Sequence, residues 1–193
     1  TLFCGWIEYF EGLGYNVSKM IGGMDMNKVC VFIGDGFEEI EALMVVDVLR
    51  RNDILVEMVS IKDVLEVTGA HDIKVLADRL FEEINFEDVG MIVLPGGMPG
   101  TINLKNHKGL EHQIKKFDSE NRKIGAICAA PSILGNLGLL EGKKAICFPG
   151  FEQELLGAQV TDEPVVVDGN IITSRSMETA FEFANRIVEE IKK

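Results

Sequence analysis

The stretch KIGAICAAPSILGNLGLL, residues 123–140, decides the fold. KIGAIC reads as a strand, AAPSILGNLGLL opens a helix, and no polar linker separates them. Pro131 suits a first helical turn, because the N–H it lacks would go unpaired there anyway. A strand running straight into a helix is the repeating unit of a parallel sheet covered on both faces. The uncharged run from Ile124 to Leu140 is the longest in the chain. Pro131, Asn136 and several glycines interrupt it, and it is shorter than a membrane span requires.

The same alternation extends in both directions from this unit. Upstream, KVCVFI (28–33) predicts a buried strand, and residues 37–51 predict a helix. ILVEMVSI (54–61), the short IKVLAD (73–78) and MIVLPGG (91–97) predict strands, and residues 107–118 an amphipathic helix. Downstream, KKAICF (143–148) reads as a strand and FEQELL (151–156) as a short helix. VVVDGNIITS (165–174) reads as a hairpin turning at Asp168-Gly169. METAFEFANRIVEEIKK (177–193) closes the chain as a helix. The expected class is α/β: a three-layer sandwich with a mostly parallel sheet and helices on both faces.

The chain has 193 residues and a formal net charge of −12. An acidic chain argues against a nucleic-acid surface, which needs basic side chains. The four cysteines (Cys4, Cys30, Cys128, Cys147) show no paired spacing, so neither a zinc motif nor a disulfide scaffold is expected. A reducing, cytoplasmic setting follows from that usage, and no signal peptide is read at the N-terminus. Trp6, Tyr9 and Tyr15 all fall before Met26, and none of either type follows it. Residues 1–25 lack periodicity and hold Glu8, Glu11, Asp25 and Lys19 as their only charges, so nearly all the net charge belongs to 26–193. One reading makes residues 1–25 a non-native extension, with Gly22-Gly23 encoded by a ribosome-binding-site-like stretch and Met26 the start of a single domain, 26–193. The other makes them a genuine N-terminal extension.

Three features carry candidate chemistry. Cys128 stands at the strand-to-helix turn, beyond the carboxyl end of a strand where open parallel sheets bind ligands. A nucleophile on such a turn is exposed and faces backbone N–H groups. The helix N-terminus is expected to lower its thiol pKa. The position alone also suits a small buried hydrophobe. Glu41 is the second feature. Asp35 and Glu38 fit a capping box that starts the helix near Gly36. At about 100° per residue, Phe37, Met44, Val45 and Val48 then form an apolar stripe with Glu41 in its middle and Ile40 at its edge. Glu39 is expected to point to solvent. A carboxyl on a core-facing stripe must be paired or protonated. The third feature is MIVLPGGMPG (91–100), whose adjacent glycines suit either a plain turn or an oxyanion hole. No phosphate-binding glycine motif is present. All three histidines, His71, His107 and His112, precede Cys128, and His107 and His112 are expected to be solvated on a polar helix.

These stretches, DGFEEIEALMVVDVLRR, IVLPGG, GAICAAPSIL and GNIITSRSMETAFEFANRIVEEI, in this order, resemble the PfpI/ThiJ family, in the branch of the Parkinson's-associated protein deglycase and its ThiJ-like bacterial members. The resemblance runs from about Lys28 to Lys192. It implies a flavodoxin-like sandwich, a homodimer, and no cofactor or metal. It makes Cys128 the reactive cysteine and Glu41 a protonated acid bonded to its sulfur. Gly97 and Ala129 become oxyanion-binding N–H groups, with Gly96 and His71 as secondary candidates. His71 takes the place of an Arg near the dimer partner's site. Phe148, before Pro149, stands where many members carry a His. The histidine arrangements of class I amidotransferases and of related proteases are missing, since no His follows Cys128 and Ala129 is next to it, so peptidase activity is disfavoured. Two functions are implied. In one, Cys128 acts on methylglyoxal or glycated groups and releases lactate. In the other, Cys128 serves as an oxidative-stress sensor or chaperone without turnover. Neither nucleic acid nor membrane is expected as a partner.

Overall fold

The computed structural model of the protein describes residues 28–193; the expectations for residues 1–25 lie outside the described residues. A seven-stranded sheet forms the middle layer, in the order β10-β11-β7-β6-β1-β2-β5. Its members are β1 (Lys28–Ile33), β2 (Val56–Ser60), β5 (Arg79–Leu80), β6 (Val89–Leu94), β7 (Lys123–Ile127), β10 (Val165–Asp168) and β11 (Ile171–Ser174). Every neighbouring pair is parallel except the β10–β11 hairpin. This is the flavodoxin-like sandwich that the strand–helix alternation predicts.

Side-chain alternation along the central strands feeds two separate cores. Val29, Val31 and Ile33 of β1 face one cluster with Met91 and Val93 of β6. That cluster is closed by α1 (Glu39–Arg51) and α5 (Ala180–Ile191), through Val45, Val48, Leu49, Phe183 and Ile187. Cys30 and Phe32 point to the opposite face with Ile92 and Leu94. There α2 (Gly100–Asn106), α3 (Lys108–Ser119) and α4 (Pro131–Asn136) cover them through Leu104, Leu110, Ile114, Phe117, Ile133 and Leu134. Among the described residues, no helix is long and apolar enough to cross a membrane.

Several boundaries differ from the sequence reading, each for a local reason. The helix expected from Gly36 begins at Glu39, and Glu38 is its cap, accepting from the Glu41 N–H at 2.8 Å. Asp35 caps nothing; its carboxylate takes the Thr68 N–H and the Lys62 ammonium. IKVLAD shortens to β4 (Lys74–Leu76), which pairs antiparallel with β3 (Glu66–Thr68) outside the main sheet. KKAICF shortens to β8 (Lys144–Ala145), paired with β9 (Gln159–Val160). FEQELL gives only a 3-10 turn at Glu152–Glu154. Strands β3, β5 and β9 and helix α2 are too short to show periodicity in the sequence. The hairpin loop is Gly169-Asn170, because Asp168 already pairs with Ile171.

Phe183 shows how tightly the α5 layer fits. It is wholly buried, and a Cβ added at Gly125 of β7 would come within 3.1 Å of its Cζ. Phe183→Ala is expected to cost about 3–5 kcal/mol of unfolding free energy, read as a lower midpoint with unchanged slope in urea denaturation.

Candidate functional site

The carboxyl ends of β1, β6, β7 and β11 bring the site together. Cys128 follows β7 directly and adopts φ +64°, in the left-handed region that non-glycine residues rarely occupy. Such a conformation costs on the order of 1–3 kcal/mol and persists only where surrounding contacts impose it. Here they do. The Cys128 N–H donates to the Ser174 carbonyl at 3.0 Å, and the Cys128 carbonyl accepts the Phe148 N–H at 2.8 Å. Neighbouring strand and loop thus clamp both sides of the residue and turn its sulfur out of the sheet. The sulfur is half-buried.

Glu41 meets it from α1. Its side chain is 1% exposed, and its Oε2 accepts the Gly96 N–H at 2.8 Å. It is also hydrogen-bonded to Cys128. Burial pushes the Glu41 carboxyl up to about 7, further helped by the nearby carboxylates of Glu38 and Glu178. The N–H groups of Gly97 and Ala129 bond to the Cys128 sulfur and favour its thiolate. Gly96 has a strict steric reason to be glycine. A Cβ there would lie 2.6 Å from the Cys128 Cβ and 2.8 Å from the Glu41 Oε2. Gly97, at φ +88°, has a Cβ position only 2.3 Å from the Glu38 nitrogen. The structure therefore gathers Cys128, Glu41, Gly96, Gly97 and Ala129 in one place.

The thiol is not simply acidic, as the helix-terminus reading expected. Helix α4 is only six residues long. Burial and the Glu41 carboxylate push the Cys128 thiol up, against the pull of the two N–H groups. The two groups must be treated as a pair with one shared proton. With the proton on Glu41, the thiolate accepts three hydrogen bonds, from Glu41, Gly97 and Ala129. With the proton on sulfur, the two N–H groups face a poor acceptor, and the carboxylate stands near Glu38 and Glu178. Burial opposes ionisation of either group, so the pair is expected to carry one negative charge between sulfur and carboxyl. Burial pushes the Cys30 and Cys147 thiols up to about 12 as well, but those two cysteines are buried whereas Cys128 is half-buried and within reach of solvent.

The remaining candidates sit elsewhere. Glu39, expected at the surface, is buried, and its carboxylate takes both the backbone N–H and the ring Nδ1 of exposed His71 at 2.8 Å. That contact holds His71 protonated to higher pH. His71 thus stands behind Glu38 and Glu39, not at the sulfur. Glu38, Glu39 and His71 hold ligand-type atoms within 4.8 Å of one another, but helix capping and the His71 contact already engage them. His107, expected to be solvated, caps α3 through Nδ1 and packs on Phe81, with ring centroids 4.4 Å apart. The part played by Glu38 as cap and field was not read from the sequence. The three-residue spacing from Glu38 to Glu41 was the available signal.

Fold and site define the class: a flavodoxin-like α/β protein built around a cysteine elbow with a buried carboxyl partner. The sequence profile described as the DJ-1/PfpI family matches residues 27–190, and the chain belongs to that family. Protein DJ-1 homolog B of Arabidopsis thaliana is 42% identical over 166 residues, covering 85% of this chain and 38% of that protein. The chain therefore spans well under half of that relative's length. A protein named deglycase from Pyrococcus abyssi is 33% identical over 168 residues, covering 86% of this chain and 99% of its own. The crystal structure of a mutant DJ-1 superfamily protein from Salmonella typhimurium superimposes with a TM-score of 0.82 at 32% identity. It covers 86% of this chain and 91% of that one.

The shared-proton pair makes a specific prediction for alkylation of Cys128 as a function of pH. With the proton on Glu41, Glu41→Leu removes a donor to sulfur, so the midpoint should rise and the rate at pH 7 should fall. Glu41→Gln keeps an N–H donor and should lie between Leu and the wild type. Faster alkylation in Glu41→Leu would place the charge on the carboxylate instead.

Proposed function

We propose that the protein is a cofactor-free, stress-protective enzyme that converts methylglyoxal, or its early adducts on proteins, to lactate. The observation that carries this reading is the Glu41 carboxyl, buried and bonded to the Cys128 sulfur, opposite the Gly97 and Ala129 N–H groups. The deglycase name of the Pyrococcus relative supports it.

In the proposed sequence the Cys128 thiolate adds to the aldehyde carbon. A sulfur–carbon bond forms, and the carbonyl π pair moves to oxygen, where the two N–H groups hold it. Glu41 gives that oxygen its proton, and its carboxylate then removes the hydrogen from the former aldehyde carbon. Returning that proton to the neighbouring carbon, while the hydroxyl proton on the first carbon's oxygen passes to the former ketone oxygen, converts the ketone to an alcohol and leaves an acyl thioester. Water cleaves the thioester, releasing lactate and the thiol. One carbon is oxidised and its neighbour reduced within the same molecule, so no external electron acceptor is required. For an aminocarbinol adduct, loss of the protein amine or guanidine precedes the same steps. The protein is proposed to work as a cytoplasmic homodimer, as the family resemblance implies.

A second reading is favoured by Phe148, which leaves no imidazole at that side of the sulfur. In it, oxidation of Cys128 to the sulfinate is itself the output, with the Glu41 O–H donating to the new oxygen.

Cys128→Ser should abolish lactate release from methylglyoxal, measured by a lactate-specific assay. Persistence of lactate release in this variant would refute the enzyme reading. If wild-type protein yields no lactate but gains two oxygens selectively at Cys128 under peroxide, seen by mass spectrometry, the sensor reading replaces it.

A further inference from the structure

Three exposed apolar side chains stand on three separate loops that converge on Cys128. Phe148 is 43% exposed, and its N–H is bonded to the Cys128 carbonyl at 2.8 Å. Met98 is 44% exposed and directly follows Gly97, whose N–H is bonded to the sulfur. Met177 is 46% exposed and opens the turn after β11, the strand whose Ser174 carbonyl holds the Cys128 N–H. The adjoining Glu178 is close enough to act electrostatically on Glu41. Large apolar side chains left in water at the mouth of a site gain by covering a ligand's own apolar surface.

Two carboxylates act on the same mouth. Glu38 and Glu178 both act on Glu41, and each disfavours further negative charge there. Of the basic groups nearby, His71 is set back and engaged by Glu39, and Arg175, next to Ser174, is turned to the Asp162 carbonyl. A carboxylate on the incoming molecule would therefore meet repulsion, and an uncharged apolar group would not.

We propose that Phe148, with Met98 and Met177, forms an apolar rim that makes the Cys128 site selective for carbonyl electrophiles bearing an uncharged aryl or branched alkyl substituent. Carbonyl compounds that carry a carboxylate, such as glyoxylate, are excluded by the same mouth. The selectivity rests on the α-oxoaldehyde reading for its substrate, whereas alkylation of the thiol reports it without turnover.

Two measurements on the full chain test the rim. The first is turnover of phenylglyoxal, methylglyoxal and glyoxylate, compared by kcat/KM. The second is the rate at which Cys128 is alkylated by phenacyl bromide, iodoacetamide and iodoacetate, each normalised to the rate with free glutathione. In these reactions the sulfur–carbon bond forms as halide leaves. The wild type should favour phenacyl bromide over iodoacetamide, and iodoacetamide over iodoacetate. Phe148→Ser should reduce the phenacyl-to-iodoacetamide ratio by on the order of tenfold, Met98→Ser should reduce it less, and Phe148→Leu should largely retain it. The phenylglyoxal-to-methylglyoxal ratio of kcat/KM should move in parallel.

If no α-oxoaldehyde is turned over but the alkylation preference and its loss in Phe148→Ser hold, the enzyme reading fails and the rim stands. If turnover holds and the ratios are the same in wild type and Phe148→Ser, the rim is refuted. Dissociation of the Phe148→Ser protein to a smaller species in size-exclusion chromatography would also refute it, assigning Phe148 to contact between copies of the chain.

Discussion

The contact between the Cys128 sulfur and the Glu41 carboxyl is the interaction around which the molecule is arranged. Two acidic groups in a buried place cannot both be ionised, so the pair must hold one proton between them. That demand explains the neighbouring features. Gly96 is glycine because a Cβ would enter the contact itself, and its N–H donates to the Glu41 carboxyl. Gly97 and Ala129 turn their N–H groups to the sulfur, where they favour its thiolate against the effect of burial. Cys128 holds a left-handed conformation that the Ser174 and Phe148 backbone hydrogen bonds impose on it, and in it the sulfur meets these groups.

The sheet supplies the rigidity for this. Cys128 follows β7, whose neighbours are β6 and β11, and each of those strands ends in a loop that contacts the cysteine or its partner. Glu41 arrives on α1, which is fixed by the core it shares with α5. Strain at the elbow is thus offset by two packed layers, and the site residues come from rigid elements and short turns. The outer acidic shell, Glu38 and Glu39 with His71, continues the arrangement toward solvent. Glu38 begins α1 and acts electrostatically on Glu41, so the start of the helix and the protonation of the site are linked through one side chain.

Membership of the DJ-1/PfpI family accounts for the scaffold and the cysteine elbow. Phe148 places an aromatic ring where the resemblance led one to look for an imidazole, and His71 is bound to Glu39. At position 148 the aromatic ring brings no titratable group, and the charge of His71 is held at Glu39.

The sequence by itself determined the layer order, because strand and helix periodicities are local and long enough here to be read. It also isolated Cys128, from a strand that runs into a helix at Pro131, and Glu41, from a charge in the middle of an apolar stripe. It could not place the start of α1. Asp35 and Glu38 are both good caps, and the choice fell to Glu38 because Thr68 and Lys62, distant in sequence, claim Asp35. Nor could it show that Glu39 is buried, since that depends on His71 arriving from another loop. The short strands β3, β5 and β9 were equally hidden, because two or three residues carry no period and are held by their partners. Only the tertiary structure decided the state of the thiol. Its charge depends on a carboxyl 87 positions earlier in the chain and on N–H groups from two different loops, and electrostatic coupling follows distance in space, not distance in sequence.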